Sequence, residues 1–408
     1  MPSKPIRLAW LATHPIQYQV PLLRAIAQCP DIDLTVIFFS DFSTRGFVDP
    51  GFGRAIEWDT PLLEGYQYEF LPGTGSEIKG IKTFQPRVSG LAKRLNRHNF
   101  DAVLVQGWQH YGMLKAAWLA KRAGLKLLMR CEATDHVDSS TGLKRLLREA
   151  TVRFLLSQID CCLAIGTHNR NFYLKRGFPA ERIGSMHYCV DNDHFRSKAQ
   201  TADVAAIRTQ LSLESGKPVI LYASKFMARK FPDHLLEAYR QLPEPRPYLI
   251  YVGDGEMRGN LEETVRKYQL QNVRFAGFRN QGELPAFYAL ADIFVLPSIN
   301  ETWGLVVNEA MNAGCAIITT DQVGSAADLV RSGENGFVIK ACDISVLTNA
   351  LAGCLVEERF RDMGERSLEI IQGWGIKENE DGLRIALGLP IERSEIPPIN
   401  SLPRVTYN

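Results

Sequence analysis

The chain has 408 residues, 45% hydrophobic and 23% charged, the composition of a folded globular protein with room for two domains. Its 47 Lys and Arg against 45 Asp and Glu leave a net charge of +2, which excludes a general nucleic-acid binder held by bulk charge. Eight cysteines without a CxxC pair argue against a zinc site or disulfide framework, and no uninterrupted apolar run reaches bilayer length.

In chain order, the start MPSKPIRLAWLATHP reads as a strand rather than a secretion signal, so a reduced, cytoplasmic setting is expected. Strand-length apolar runs follow at 6–13, 34–40, 101–107, 126–131, 160–166 and 183–190. Amphipathic stretches at 20–28, 88–97, 113–122 and 143–156 lie between them. Residues 41–82, rich in Gly, Pro and aromatics, read as an irregular insertion. A polar segment, 196–217, then separates the halves. The alternation restarts with strands at 219–224, 248–253, 273–277, 293–296 and 315–320, interleaved with helices at 233–242, 261–268 and 284–290. Short apolar strands alternating with helices predict parallel sheets covered on both faces. The expected organisation is therefore α/β. It has a doubly wound, Rossmann-like domain at 1–195, a linker at 196–217, a second such domain at 218–388 and a Pro-rich tail at 389–408. Residues 1–195 carry 24 basic and 18 acidic side chains, leaving 23 and 27 of the totals for the rest, so the first half is the one expected to meet an anionic surface.

The most informative stretch is PSINETWGLVVNEAMNAG (297–314), which follows a strand and opens a helix. Open parallel sheets bind ligands at the carboxyl ends of their strands, and a helix start offers N–H groups and partial positive charge to a phosphate. Gly304 lets backbone approach closely, with Leu305 beginning the helix. Glu301 precedes the helix and Glu309 lies inside it, so two carboxylates flank one anion site. That suits a diphosphate with hydroxyls at each end, a nucleotide sugar. The alternative is an ordinary strand–helix corner whose glutamates face water. Upstream, YASKFMARKF (222–231) places Lys225 and Lys230 just beyond a strand, where two cations can neutralise a diphosphate or simply sit on the surface.

The turn VGDGEMR (252–258) offers Gly253 and Gly255 but not the third glycine of a dinucleotide fingerprint. NVRFAGF (272–278) ends a strand at Phe278, which reads equally as a core aromatic. In the first half, THPIQYQ (13–19) follows the first strand without the glycines of a phosphate loop. His14, Gln17 and Tyr18 can offer side-chain hydrogen bonds there; the alternative is a plain Pro15-initiated helix start. The helix pattern GLKRLLREATVRFLL (142–156) joins leucines to Lys144, Arg145, Arg148 and Arg153. It can lie on an anionic membrane or pack on a core with a solvated basic face. No acidic pair is placed to hold a metal, so none is expected.

The 297–314 segment resembles the signature of retaining glycosyltransferase family 4, at Pro297, Ser298, Glu301, Trp303, Gly304, Leu305, Glu309, Ala310, Met311 and Gly314. The resemblance covers roughly 6–386 and implies the GT-B fold, two Rossmann-like domains facing across a cleft. By the same resemblance, Lys225 and Lys230 hold the donor pyrophosphate and Glu301 the sugar hydroxyls. Glu309 takes the ribose, Phe278 lies at the base, and Gly253 and Trp303 line the donor site. The implied reaction moves a sugar from a nucleoside-diphosphate sugar to a hydroxyl of a glycan or lipid-linked glycan, with retention and without a metal or cofactor. Cell-surface polysaccharide synthesis at the inner membrane face is the implied setting, since O-antigen-type transferases begin with similar HPIQY segments. Two departures stand out. The usual Gly-rich turn is replaced by THPIQYQ, and where many members carry a His the chain reads RCEATDH (130–136), leaving Glu132 or a neighbour beside the reacting sugar. A sugar-nucleotide 2-epimerase of the same architecture and a silent nucleotide-sugar-binding protein are the other readings.

Overall fold

Strand β1 (Ile6–Ala12) shows how the first sheet is built. Leu8, Trp10 and Ala12 point into one apolar cluster and Ala9 and Leu11 into another, so the strand is buried on both faces. The computed structural model describes residues 4–45, 47–49, 54–56, 59–71, 82–135 and 142–391. Further strands are β2 (Ile32–Phe38), β3 (Phe47–Asp49), β4 (Arg54–Ile56), β5 (Gln67–Phe70), β6 (Ala102–Gln106), β7 (Lys126–Arg130), β8 (Cys161–Ala164) and β9 (Ile183–Ser185). They form a parallel sheet in the order β5-β2-β1-β6-β7-β8-β9, with β3 and β4 paired separately. The order reverses between β1 and β6, the switch point where such sheets open a ligand crevice.

The second sheet comprises β10 (Val219–Ala223), β11 (Tyr248–Val252), β12 (Val273–Gly277), β13 (Ile293–Leu296), β14 (Ala316–Thr320) and β15 (Gly336–Ile339). Its parallel order β12-β11-β10-β13-β14-β15 puts the switch point between β10 and β13. Both α/β sheets agree with the expected fold class.

The chain divides into two compact units, 1–47 with 61–188 and 375–408, and 48–60 with 189–374. Three local findings differ from the sequence reading. Within the insertion, Gln67–Phe70 joins β2 as the edge strand β5, a pairing its half-polar sequence hides. The polar 196–217 stretch is largely helical, because Asp191 and Asp203 cap the helices Asn192–Gln200 and Val204–Gln210 through bonds to His194 N and Ala206 N, both 2.9 Å. The helix Ile376–Leu387, expected in the second domain, packs in the first unit. Arg384 forks onto Asp31 with two bonds of 2.7 Å, and Gly382 lies so close to β9 that a Cβ would sit 1.7 Å from Ser185 O. Among the described residues no helix is long and apolar enough to cross a membrane. His136 and the tail beyond 391 lie outside the described residues.

Candidate functional site

In the second unit the site grows from the loops after β10, β11 and β13. Gly253 (φ +136°) and Gly255 (φ +152°) bring the loop after β11 against the one after β10. A Cβ on Gly253 would stand 2.1 Å from Ser224 O, and one on Gly255 2.6 Å from Phe226 O. Phe226 N donates to Asp254 O at 2.9 Å and Met257 N to Phe226 O at 3.0 Å, so the two loops make one ledge. The G-x-G turn therefore serves close backbone packing. Lys225 stands on that ledge, its carbonyl accepting from the Tyr222 hydroxyl at 3.0 Å.

One turn later Phe231 adopts a left-handed conformation (φ +48°) before Pro232 opens the helix Pro232–Arg240. That reversal drives Lys230 inward, where it is 7% exposed. Its Nζ donates to Glu301 Oε2, which also accepts from Arg229 Nη1 at 3.2 Å. Burial lowers the Lys230 pKa, and the Glu301 carboxylate only partly offsets this. Glu301 is held by its backbone, which accepts Gly324 N–H at 2.9 Å and donates to Gln322 O at 3.1 Å.

Gly304 caps the helix Leu305–Asn312 in a left-handed conformation (φ +88°), and a Cβ there would meet Leu296 and Val323 at 3.0 and 3.1 Å. The loop thus delivers the helix start to the carboxyl end of β13, with Leu305 half-buried at the first turn. Trp303 turns into the core, donating to Asn308 Oδ1 at 2.9 Å and stacking on Trp374 at 5.7 Å between centroids. It positions the loop. Glu309 is buried and accepts from the Tyr288 hydroxyl at 2.6 Å, with Gln281 Nε2 at 3.5 Å. Burial pushes its pKa up despite those donors. Phe278 stands half-buried directly after β12. Arg229, Tyr288 and Gln281 escaped the sequence reading. Only Arg229 left a signal, as the third basic residue of the 225–230 segment.

The first unit has its own cavity, about 450 Å³, at the β1/β6 switch point. His14, Tyr18 and Glu132 line it with Gln19, Gln106, Trp108, His110, Arg130 and Tyr188. Gln17 does not line it; the short 3₁₀ turn Gln17–Gln19 presents Tyr18 and Gln19 instead. Tyr188 is the hub: its hydroxyl bonds Glu132 Oε1, its ring meets Tyr18 edge-on at 5.7 Å, and the Arg130 guanidinium lies over it at 4.7 Å. Arg130 is fixed by bonds to the carbonyls of Met186 (3.0 Å) and His187 (2.6 Å). Gln106 Nε2 donates to Gln19 Oε1 at 2.9 Å. His110 Nδ1 accepts Gly112 N–H at 3.0 Å, leaving the proton on Nε2. Burial lowers the His14 pKa to about 4 and raises that of Tyr18 to about 12, so both are neutral near pH 7. Among the described residues no group of three or more His, Cys, Asp and Glu could hold a metal ion.

Two family models match the chain: a glycosyl transferase 4-like domain over residues 65–188 and glycosyl transferases group 1 over 203–367. The chain belongs to glycosyltransferase family 4. It is 31% identical over 281 residues to D-inositol 3-phosphate glycosyltransferase 2 of Catenulispora acidiphila, covering 64% of this chain and 65% of that protein. It is also 31% identical over 197 residues to LpsE of Rhizobium meliloti, a lipopolysaccharide core biosynthesis glycosyltransferase, covering 48% and 56%. The matched stretch thus spans less than two thirds of either relative. Among solved structures, HepE of Anabaena in complex with UDP superposes with a TM-score of 0.70 at 19% identity, over 94% of this chain and 100% of that one. That is the GT-B fold.

This family 4 chain should lose stability in mild acid. Burial holds His14 at a pKa of about 4 and His187 at about 3, the latter helped by the Arg130 charge, against 6.5 ordinarily. Both folded pKa values are lowered, so the unfolded chain binds more protons between pH 6.5 and 4, and stability falls as pH falls through that window. Each histidine contributes at most on the order of 3 kcal/mol at pH 4. The urea midpoint should drop between pH 7 and 4.5, and less so in His14→Gln and His187→Gln; an unchanged midpoint would refute the assignment.

Proposed function

We propose that the protein is a retaining, metal-independent glycosyltransferase that takes its sugar from a nucleoside diphosphate and transfers it to a hydroxyl of a glycan acceptor. The observation that carries this reading is the meeting of Lys230, Arg229 and Glu301 beside the helix start at Gly304, with Glu309 one helical turn inside. Cations and helical N–H groups suit a leaving diphosphate, while the two carboxylates suit the sugar hydroxyls at one end and the ribose at the other. In the step itself the acceptor oxygen bonds the anomeric carbon on the face the diphosphate leaves. The C–O bond to phosphate breaks, its electrons stay on the phosphate, and that oxygen takes the acceptor proton. Lys225 and Lys230 offset the growing charge in place of a metal ion. The polar cavity around Tyr188 takes the acceptor, with Glu132 and Tyr18 as its hydrogen-bonding partners. Cell-surface polysaccharide assembly on the cytoplasmic side suits this chemistry, in keeping with the lipopolysaccharide role in LpsE's name.

UDP is the first donor nucleotide to try, since HepE was crystallised with it. UDP at a hundredfold excess over its Kd should stabilise the fold by about 2.7 kcal/mol, visible as a thermal shift that survives EDTA. Product formed from the matching sugar nucleotide should keep the donor's anomeric configuration by proton NMR. Inversion, strict metal dependence, or turnover of the donor without acceptor would each overturn the reading, the last in favour of an epimerase.

A further inference from the structure

The helix Leu305–Asn312, whose start at Gly304 is the proposed diphosphate seat, carries two asparagines on one face, Asn308 and Asn312. They are 0% and 1% exposed. Asparagine is a mediocre helix former, and a buried amide costs free energy unless its partners are met, so leucine would be the cheaper packing choice at both positions. Asn312 even leaves its Oδ1 without a partner among the described residues. What the amides supply is attachment. Asn312 Nδ2 donates to Asn308 O at 3.0 Å and to Asn192 Oδ1 at 2.8 Å. Asn192, the first residue of the helix Asn192–Gln200, donates in turn to the carbonyls of Ile371 at 2.9 Å and Trp374 at 3.4 Å. The Trp374 ring then returns to the other end of the donor helix. It stacks within 14° of parallel on Trp303, whose Nε1 donates to Asn308 Oδ1 at 2.9 Å. The circuit closes on itself. It takes in Asn192, just inside the point where the chain returns to the second unit at Cys189, and Trp374, the last residue before the chain leaves that unit.

We propose that Asn192, Asn312 and Trp374 are positioning residues of the donor site, a clamp that fixes where the helix start and the Glu301 loop stand against the diphosphate. The proposal rests on the glycosyl-transfer reading and adds to it residues that act through the helix. Apolar contact is non-directional, so a helix held by it alone can slide or roll on its neighbours, whereas amide bonds fix one register. The clamp grips both ends: Asn312 is the last residue of the helix, and Trp303 directly precedes its Gly304 cap, two residues after Glu301. Placement matters because a shift of about 1 Å, caused from far off, can cost ~10²-fold in rate.

The test uses the intact protein with UDP and inorganic pyrophosphate as probes. Asn192→Ala, at a half-buried position, should stay folded yet bind UDP about tenfold more weakly by calorimetry and lower kcat/KM by ~10–10². Pyrophosphate should weaken by the same factor, because the helix start is what moves. Trp374→Phe keeps a flat ring against Trp303 and should retain most of the UDP affinity, whereas Trp374→Leu should lose it as Asn192→Ala does. The double variant Asn192→Ala, Asn312→Leu should lose no more than the worse single change, since both open one circuit. Unchanged UDP affinity in Asn192→Ala, equal losses in Trp374→Phe and Trp374→Leu, or fully additive losses in the double variant would each overturn the proposal. Failure of the wild type to bind UDP would instead sink the donor reading, and the pyrophosphate comparison would still decide the clamp.

Discussion

Lys230→Ala is expected to lower turnover of the matching nucleotide sugar by ~10²–10³ and to weaken nucleoside-diphosphate binding with it. The side chain is 7% exposed and its ammonium sits on Glu301, so its charge acts where water does not screen it. Its lowered pKa shows that burial, helped by the like charges of Arg229 and Lys225, outweighs the support of the Glu301 carboxylate. An incoming diphosphate supplies two further negative charges and favours the ammonium, which makes the pair a site waiting for an anion. Removing Lys230 leaves Glu301 with Arg229 alone, at 3.2 Å and half exposed, so part of the loss comes from a misplaced carboxylate. The doubly changed Lys230→Ala, Glu301→Gln protein should therefore lose much less than the product of the two single losses, as residues acting together do. Calorimetry with UDP and steady-state rates check both points. Near wild-type binding and turnover by Lys230→Ala would remove the central cation from the mechanism.

How much of this was legible beforehand follows from where the signals live. Parallel strands announce themselves because both faces are buried: the runs VILYA in β10 and IFVL in β13 have no polar alternation to confuse them. Edge strand β5 reads QYEF, with two exposed residues, and looks like loop until β2 pairs with it. The helices Asn192–Gln200 and Val204–Gln210 look like a linker because their stability comes from aspartate caps and packing on neighbouring helices rather than from a broad apolar stripe. The return of Ile376–Leu387 to the first unit is a long-range fact. It is decided by Arg384 reaching Asp31, 353 positions away, and no local pattern encodes it.

The site divides the same way. Residues contributed by one continuous segment were readable: Glu301, Gly304 and Glu309 share a loop and the helix it enters. Partners supplied from elsewhere were not. Tyr288 reaches Glu309 from a helix that reads simply as apolar, and Tyr188 gathers Tyr18 from beyond the end of β1 and Arg130 and Glu132 from the end of β7. Motif residues can also have unexpected duties. Trp303 and Gly253 match their pattern, yet one stacks on Trp374 and the other makes room for Ser224, so their spacing reports loop architecture as much as ligand contact. Gln17 stands off the cavity because a 3₁₀ turn, not a regular helix, follows Ile16, shifting which face of THPIQYQ meets it.

Glu309→Ala is expected to raise the KM for the nucleotide sugar by roughly 30- to 5,000-fold, the span of about 2–5 kcal/mol for truncating one partner of a buried, charge-assisted contact. The carboxylate is buried, its pKa is raised, and the described donors to it are Tyr288 and, more distantly, Gln281, so it has lone pairs left for a ribose hydroxyl. Alanine also strands the Tyr288 hydroxyl in the core, which will cost stability on its own. Glu309→Gln separates the two effects. Its amide oxygen can still accept from Tyr288, so the unfolding midpoint should stay near wild type, while the loss of charge weakens the ribose contact and KM still rises. Because the ribose is remote from the bond being broken, kcat should fall much less than for Lys230→Ala, and UDP should suffer in proportion while inorganic pyrophosphate does not. A Glu309→Gln protein that binds UDP as tightly as the parent would place the ribose elsewhere and reduce Glu309 to a buried prop for Tyr288.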